Sequence, residues 1–227
     1  MPGETIASAQ DTDDLLHTET LTELAYRRLE EDIVTLRIPP GTVVSETILS
    51  RRLGVGRTPV REALQRLARE WLVVIMPRRG IVVSEIDPVR QLRLLEARRE
   101  IERFLARSAA RRALPIHRSR FAAIAAGMDD AARDADDIAF MRLDREFNLL
   151  LLDAGANEFA ASALGQMNGL SRRFWYMHYR QAADLPLCAR LHAAIARAIA
   201  AGDQDAAASC SDRLVDYIQS FARKTID

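Results

Sequence analysis

Cysteine and lysine are nearly missing from these 227 residues. Cys188 and Cys210 are the only thiols; they are too few for a disulfide framework and lack the paired spacing of a thiolate metal site. A reducing compartment is the simpler reading, and thiol catalysis gains no support. No run approaches the ~18 to 20 apolar residues of a membrane span, and the N-terminal segment lacks a basic start followed by an apolar stretch. Neither membrane association nor a secretory leader is expected, and the chain reads as cytoplasmic. A glycine-rich phosphate loop, an HExxH pair and a Ser/His/Asp arrangement are also absent, as is any repeat of about 20 to 50 residues. What is present is ordinary globular material, 48% apolar and 28% charged, enough for one large domain or two small ones.

Acids and bases balance at 32 each, but their distribution is uneven. Residues 1–44 hold nine acids and three arginines, residues 45–80 hold three acids and eight arginines, and residues 81–227 hold twenty acids and twenty-one bases. The middle block is therefore +5 within 36 residues. Lys224 is the sole lysine, so arginine is abundant everywhere; abundance explains the number of arginines and not their clustering.

Residues 1–20 are polar and acidic without periodicity and read as a disordered lead-in. From Leu21 the apolar positions Leu21, Leu24, Ala25, Leu29, Ile33 and Leu36 recur at helical steps until Pro39-Pro40-Gly41. Thr42 to Val44 is a short extended piece. Ser45 then stands where it can cap a second helix that closes at Gly54, and a third begins near Arg57-Thr58-Pro59 and runs to about Trp71. Leu72 to Met76 and Ile81 to Val83 are β-rich and flank Pro77-Arg78-Arg79-Gly80, which predicts a two-stranded hairpin with a basic tip. Residues 21–86 thus predict a winged helix-turn-helix. Beyond Asp87-Pro88 the pattern is helical, broken near Pro115, Gly127, Gly155-Ala156-Asn157, Pro186 and Gly202-Asp203. Helices are expected at 88–112, 116–133, 136–153, 157–180, 185–201 and 203–224. The predicted fold class is mainly α: an N-terminal winged helix-turn-helix with a small β-hairpin wing, then over 87–227 an all-α bundle of six to seven helices.

A helix laid in the major groove reads base edges with its first turns, while arginines, hydroxyls and backbone amides hold phosphates. Arg57 and Arg61 lie one turn apart and can reach a guanine edge or a phosphate. Thr58 suits a phosphate, Thr47 opens the second helix within reach of the DNA backbone, and Arg78, Arg79 and Gly80 suit a minor groove. A solvated face is the plain alternative for any single arginine; the joint occurrence of cap, turn, helix and basic wing argues against it. The stretch Ser45-Glu46 through Leu53-Gly54-Val55, followed by Arg57-Thr58-Pro59-Val60-Arg61-Glu62-Ala63-Leu64-Gln65-Arg66-Leu67, resembles the GntR family of bacterial transcription regulators. The helical remainder resembles the FCD-type ligand-sensing domain of its FadR-like branch. The resemblance implies that Arg57 and Arg61 contact bases or phosphates, Thr58 the DNA backbone, and Arg79-Gly80 the groove under the wing. Two positions depart from the family pattern. Gly56 replaces the usual serine or threonine, which removes one hydroxyl-to-phosphate contact, and Trp71 stands where a glycine usually closes the third helix.

In the second part, Asp144 and Asn148 are four residues apart and share a helix face beside Leu149 to Leu152. They read either as hydrogen-bonded core groups or as part of a lined cavity. With His192 from a later helix they would offer a divalent ion such as Zn, Ni or Mn two oxygens and an imidazole. The resemblance implies an aspartate, a histidine four residues on, and two further histidines on the last helices. Asp144 and His192 match that set, Asn148 replaces the second ligand, and Leu214 falls near the last, which points to a weak or empty metal site. A shifted register would instead turn Asp212 or Asp216 inward, against their plainer reading as solvated positions. The resemblance also implies that Arg98 looks into the cavity with a carboxylate as its client; pairing with Glu102 one turn on is an equal alternative. Arg172, Arg173, Trp175, Tyr176, His178 and Tyr179 either line a pocket for an acid or pack the bundle.

The resulting expectation is a homodimeric, ligand-responsive transcription regulator and no enzyme. The winged domain binds a palindromic operator in double-stranded DNA, and a small organic acid sensed by Arg98, Asp144, Asn148, His192, Arg172 and Tyr176 releases the repressor. A helical metal-dependent hydrolase, with Asp144 and His192 on the metal and Glu146 as base, is the rival from another class. It suffers from geometry, because two residues along a helix is roughly 200 degrees around it. A non-specific architectural DNA binder would have no use for the long helical part.

Overall fold

The computed structural model describes residues 19–76, 80–182 and 184–225, without the side chains of 180–182. The lead-in over 1–18 and the wing-tip residues Arg78 and Arg79 lie outside the described residues. Helix α1 (Leu21–Val34) starts at Thr20, whose hydroxyl accepts from the Glu23 amide at 3.1 Å. It buries Ala25, Leu29 and Ile33, the stripe that the helical spacing predicts. Strand β1 (Val43–Val44), helix α2 (Glu46–Leu53), helix α3 (Arg57–Arg69) and strands β2 (Val73–Met76) and β3 (Gly80–Val83) follow. Leu49 of α2 and Val60, Ala63, Leu64 and Leu67 of α3 join the α1 stripe and Leu72 in one buried cluster. This packing holds α3 with its opposite, arginine-bearing face outward.

Three local expectations are corrected. Ser45 occupies the N-cap position of α2, but its side chain makes no capping bond. Helix α3 ends at Arg69, and Trp71 sits beyond it at φ +58°, a left-handed conformation that explains why a glycine suits the position. The wing is three-stranded: β1 pairs antiparallel with β3, Val43 opposite Val82 and Val44 opposite Ile81, giving the order β1-β3-β2. A two-residue strand whose partner lies far along the chain leaves no local alternation to read.

The second part comprises α4 (Pro88–Arg112), α5 (Pro115–Asp134), α6 (Asp137–Gly155), α7 (Glu158–Ala182), α8 (Leu185–Ala201) and α9 (Gln204–Arg223). Asp87, Asp136, Asp184 and Asp203 cap α4, α6, α8 and α9, each carboxylate accepting a first-turn amide. Pro88, Pro115 and Pro186 occupy first turns, where a missing N–H costs nothing. Gly127 does not interrupt α5. A Cβ there would stand 3.0 Å from Leu143 of α6, so the glycine lets the two helices approach. Phe121, Ile124, Met128, Phe140, Phe147, Ile195 and Ile199 belong to the main core of the bundle. A smaller cluster of Leu95, Phe174, Val215 and Phe221 ties α4, α7 and α9 together. Among the described residues, no helix is long and apolar enough to cross a membrane.

Candidate DNA interface and sensor site

Arg57 is the first residue of α3 and Arg61 the fifth, both with exposed side chains. Gly56, the N-cap, offers no side-chain hydrogen bond, which leaves the positive end of the helix without a capping oxygen and suits it to an anion. The two arginines converge on one carboxylate of α2. Arg61 grips Glu46 in a bidentate manner, Nε to Oε1 at 2.9 Å and Nη2 to Oε2 at 2.8 Å, and Arg57 approaches it at 3.8 Å. The Arg61 hydrogen bond, against a smaller opposing effect of burial, lowers the Glu46 pKa, and the same contact raises that of Arg61. Thr58 is exposed and Thr47 half-buried; Gly80, at φ +91°, begins β3. Sequence reasoning missed Glu46 as the residue that aims the arginines. Its signal is its scarcity, as one of three acids in the basic block.

A second basic group, also missed, lies on the flank of α3. The Arg66 guanidinium stacks over Tyr26 of α1 at 3.5 Å and pairs with Glu23 at 2.8 Å and Glu70 at 3.2 Å. Tyr26 donates to Glu70 at 2.9 Å. Burial pushes the Glu70 carboxyl above the usual carboxylate range, while Tyr26 and Arg66 pull against it. This network fastens α1 to α3 and is structural in character.

In the bundle, α6 and α8 bring Asp144, Asn148 and His192 together. Asp144 Oδ1 lies 3.1 Å from His192 Nε2, and the Asn148 side-chain amide donates to the Asp144 carbonyl at 2.8 Å and to Oδ1 at 3.1 Å. His192 Nδ1 is 2.9 Å from the Cys188 carbonyl, an atom that only accepts, so Nδ1 carries its proton. Both ring nitrogens thus face acceptors, between the edge-on rings of Phe140 and Phe147. Burial opposes a charged imidazole, but the Cys188 and Asp144 contacts outweigh it and hold the His192 pKa well above the ordinary value. The site is a carboxylate–imidazolium pair.

A resident divalent ion does not fit these residues. Asn148 directs its amide protons at Asp144, Leu214, the position near which the resemblance implies a last histidine, is a leucine buried in the core, and Asp212 and Asp216 pair with Arg99 at 3.3 and 2.5 Å. Among the described residues, no three His, Cys, Asp or Glu side chains gather as a metal site requires. Glu146, the base of the hydrolase alternative, is turned to Arg120 of α5.

Arg98 of α4 stands in another cluster: Nε donates to Glu102 at 2.7 Å and Nη1 to Asn168 of α7 at 3.0 Å. Arg98 and Glu102 are both largely buried. Arg172 points elsewhere, to Glu30 of α1 at 2.7 Å, and Tyr176 is on the surface beside Tyr179. Trp175 and His178 pack with Phe174 and Phe221. A groove of about 360 Å³ between α5 and α6 is lined by Arg120, Gly127, Arg142 and Glu146 among others, and none of the expected sensor residues borders it.

Two family models match the chain. That of bacterial regulatory proteins of the gntR family covers residues 21–83, and that of the FCD domain covers residues 93–217. The HTH-type transcriptional repressor RspR of Escherichia coli is 29% identical over 216 residues, 91% of each chain. The fatty acid metabolism regulator protein of Edwardsiella ictaluri is 30% identical over 221 residues, 88% of this chain and 87% of its own. Among solved structures, E. coli McbR/YncC superposes with a TM-score of 0.75 at 18% identity, covering 92% of this chain and 99% of that one, a likeness of fold.

Proposed function

We propose, since this chain belongs to the gntR family of bacterial regulatory proteins and carries its FCD domain, that it is a cytoplasmic repressor which leaves a palindromic operator when a small organic acid enters its helical part. The chain is a DNA-binding transcription regulator with a ligand-sensing domain; the mode, operator symmetry and effector class are the proposal. Residues 21–86 act as the operator reader and residues 87–227 as the sensor and dimer-forming unit. The observation that carries the DNA reading is the exposed pair Arg57 and Arg61 at an uncapped helix start, supported by Thr47, Thr58, Gly80 and the basic wing residues Arg78 and Arg79. A single reader covers one half-site, so a two-fold dimer with half-sites about one helical turn apart is the natural complement. Footprinting on DNA selected from a random library tests this: a bounded, symmetric protected site is expected, and uniform protection would sink it.

The effector reading rests on two buried cationic groups, Arg98 and His192, each held by a carboxylate of the chain itself. A ligand carboxylate can take the place of Glu102 or Asp144 without leaving a cation unpaired. Arg172 and Tyr176, facing the winged part and the surface, have no part in it. A thermal-shift screen with C2 to C6 mono-, di- and hydroxycarboxylates is expected to reveal an acid that raises Tm and weakens operator binding, with both effects lost in Arg98→Leu. A screen in which only neutral or cationic compounds shift Tm would overturn it. Metal has no place in this reading, and protein purified without chelator is expected to carry far less than one Zn, Ni or Mn ion per chain; a stoichiometric ion lost in Asp144→Ala would restore the metal.

A further inference from the structure

Helix α7 belongs to both halves of the molecule. Asn168 faces Arg98 in the bundle, and the residues just after it meet the winged part. A Cβ on Gly169 would stand 2.6 Å from Leu72 Cδ1, so a larger residue here would have to push the Leu72 side chain aside. Leu170 is buried in the same cluster as Ala25, Leu29, Leu64 and Leu67, and Arg172 reaches Glu30. Arg173 is different in kind. It is 1% exposed and extends its guanidinium to the point where the chain leaves the wing. Nη1 donates to the Ser84 carbonyl at 2.9 Å; Nη2 donates to Ser84 Oγ at 3.0 Å and to the Glu85 carbonyl at 3.3 Å. Ser84 Oγ in turn donates to the Trp71 carbonyl at 2.7 Å. The Arg173 Nε–H finds no partner among the described residues. Burial, with Arg90 nearby, pulls its pKa down to about 10, so it stays charged at neutral pH.

A buried cation bonded to carbonyls and a hydroxyl, with one N–H unsatisfied, costs stability that a packed methionine or leucine would not. Stability therefore does not account for this arginine. A planar fork of donors supplies what an apolar side chain lacks, namely a fixed angle between the group that holds it and the groups it grips.

We propose that Arg173 is a positioning residue: it fixes the orientation of the winged part on α7, and through it the separation of the two α3 helices in the dimer, so that the protein discriminates half-site spacing as well as half-site sequence. This rests on the dimeric-operator reading above. Binding at a single half-site uses only α2, α3 and the wing. Simultaneous binding of two half-sites depends on how narrowly the second reader is aimed once the first is seated.

The test uses the full-length protein and three duplexes: the one selected by wild type from a random library, the same duplex with its half-sites moved apart by one to six base pairs, and a single half-site. Wild type is expected to prefer the selected spacing by about thirtyfold or more. Arg173→Met is expected to keep half-site affinity within about twofold and to accept the shifted duplexes within about threefold of the selected one. Ser84→Ala, which removes one of the three acceptors, falls between. An R173M protein that retains the wild-type spacing preference overturns the proposal, as does one that loses half-site and full-site binding equally, the mark of a merely structural role. If R173M does not fold, an S84A protein with the full wild-type preference overturns it just as well. Wild type without any spacing preference removes the dimeric-operator reading itself and the proposal with it.

Discussion

Replacing Arg57 and Arg61 together by alanine is expected to weaken specific operator binding by about a thousandfold while leaving the fold intact. Each bidentate contact of an arginine with a guanine edge is worth roughly 1 to 3 kcal/mol of discrimination, and both arginines are lost from each reader. The fold is spared because neither side chain is buried and the partner they lose, Glu46, is itself accessible; the stability change should stay within about 0.5 kcal/mol. Anisotropy with labelled operator across a salt series separates the two kinds of contact. If the arginines hold phosphates, the salt slope falls by about one per arginine and all sequences lose alike; if they read bases, specificity relaxes at defined positions. A loss below threefold would mean that α3 is not the reading helix. Glu46 sharpens the expectation. Its grip on Arg61 must open for DNA to enter, at the cost of an exposed ion pair worth roughly 0.2 to 1 kcal/mol. Glu46→Gln is therefore expected to tighten binding by about two- to fivefold, most visibly on non-specific DNA, where the carboxylate is a competitor for the same guanidinium.

The features legible in the sequence are those in which a short stretch carries its own physical signal. Asp87-Pro88, Asp184 with Pro186, and Gly202-Asp203 mark helix boundaries because capping and proline geometry are local. The Ala25, Leu29, Ile33 stripe and the Val60, Ala63, Leu64, Leu67 stripe needed only periodicity, whereas Leu21 at the start of the first of them stays exposed. What escaped depends on distant partners. Two valines at 43 and 44 become a strand only because β3 lies beside them. Gly127 looks like a break, yet it stays helical inside α5; it faces Leu143 of α6 at 3.0 Å from where a Cβ would be, whereas Gly155 does close α6. The sharpest case is the pair Arg172 and Arg173. Adjacent on a helix, they point about 100 degrees apart. The exposed Arg172 looks functional to a reader of composition, and it pairs with Glu30. The buried Arg173 offers no hint of burial except Gly169 one turn earlier on the same face. In the sensor, the spacing of Asp144 and Asn148 placed both on one face, but which protons they share with His192 is decided by packing between helices.

Breaking that pair has the second large expected effect. Asp144→Ala leaves the buried His192 without its anionic partner, with Nε2 facing a gap and Nδ1 still bound to the Cys188 carbonyl. Removing one member of a buried ion pair costs about 3 to 5 kcal/mol; Asp144 is a third exposed, which places the loss nearer 2 to 3 kcal/mol, roughly 5 to 10 °C in Tm for a chain of this length. The sign of the pH dependence follows from the direction of the shift. The folded-state pKa of His192 lies above its unfolded value, so the contribution is fully present below the ordinary histidine pKa and fades as pH rises through the folded one. The difference in Tm between wild type and Asp144→Ala should therefore be widest below the ordinary histidine pKa and narrow as pH rises through the folded-state one. Asp144→Asn, which keeps the shape and loses the charge, should show the same narrowing from a smaller start. A gap that does not change with pH would mean that His192 is neutral in the folded protein, and that Asp144 acts there as a hydrogen-bond acceptor and not as a counter-ion.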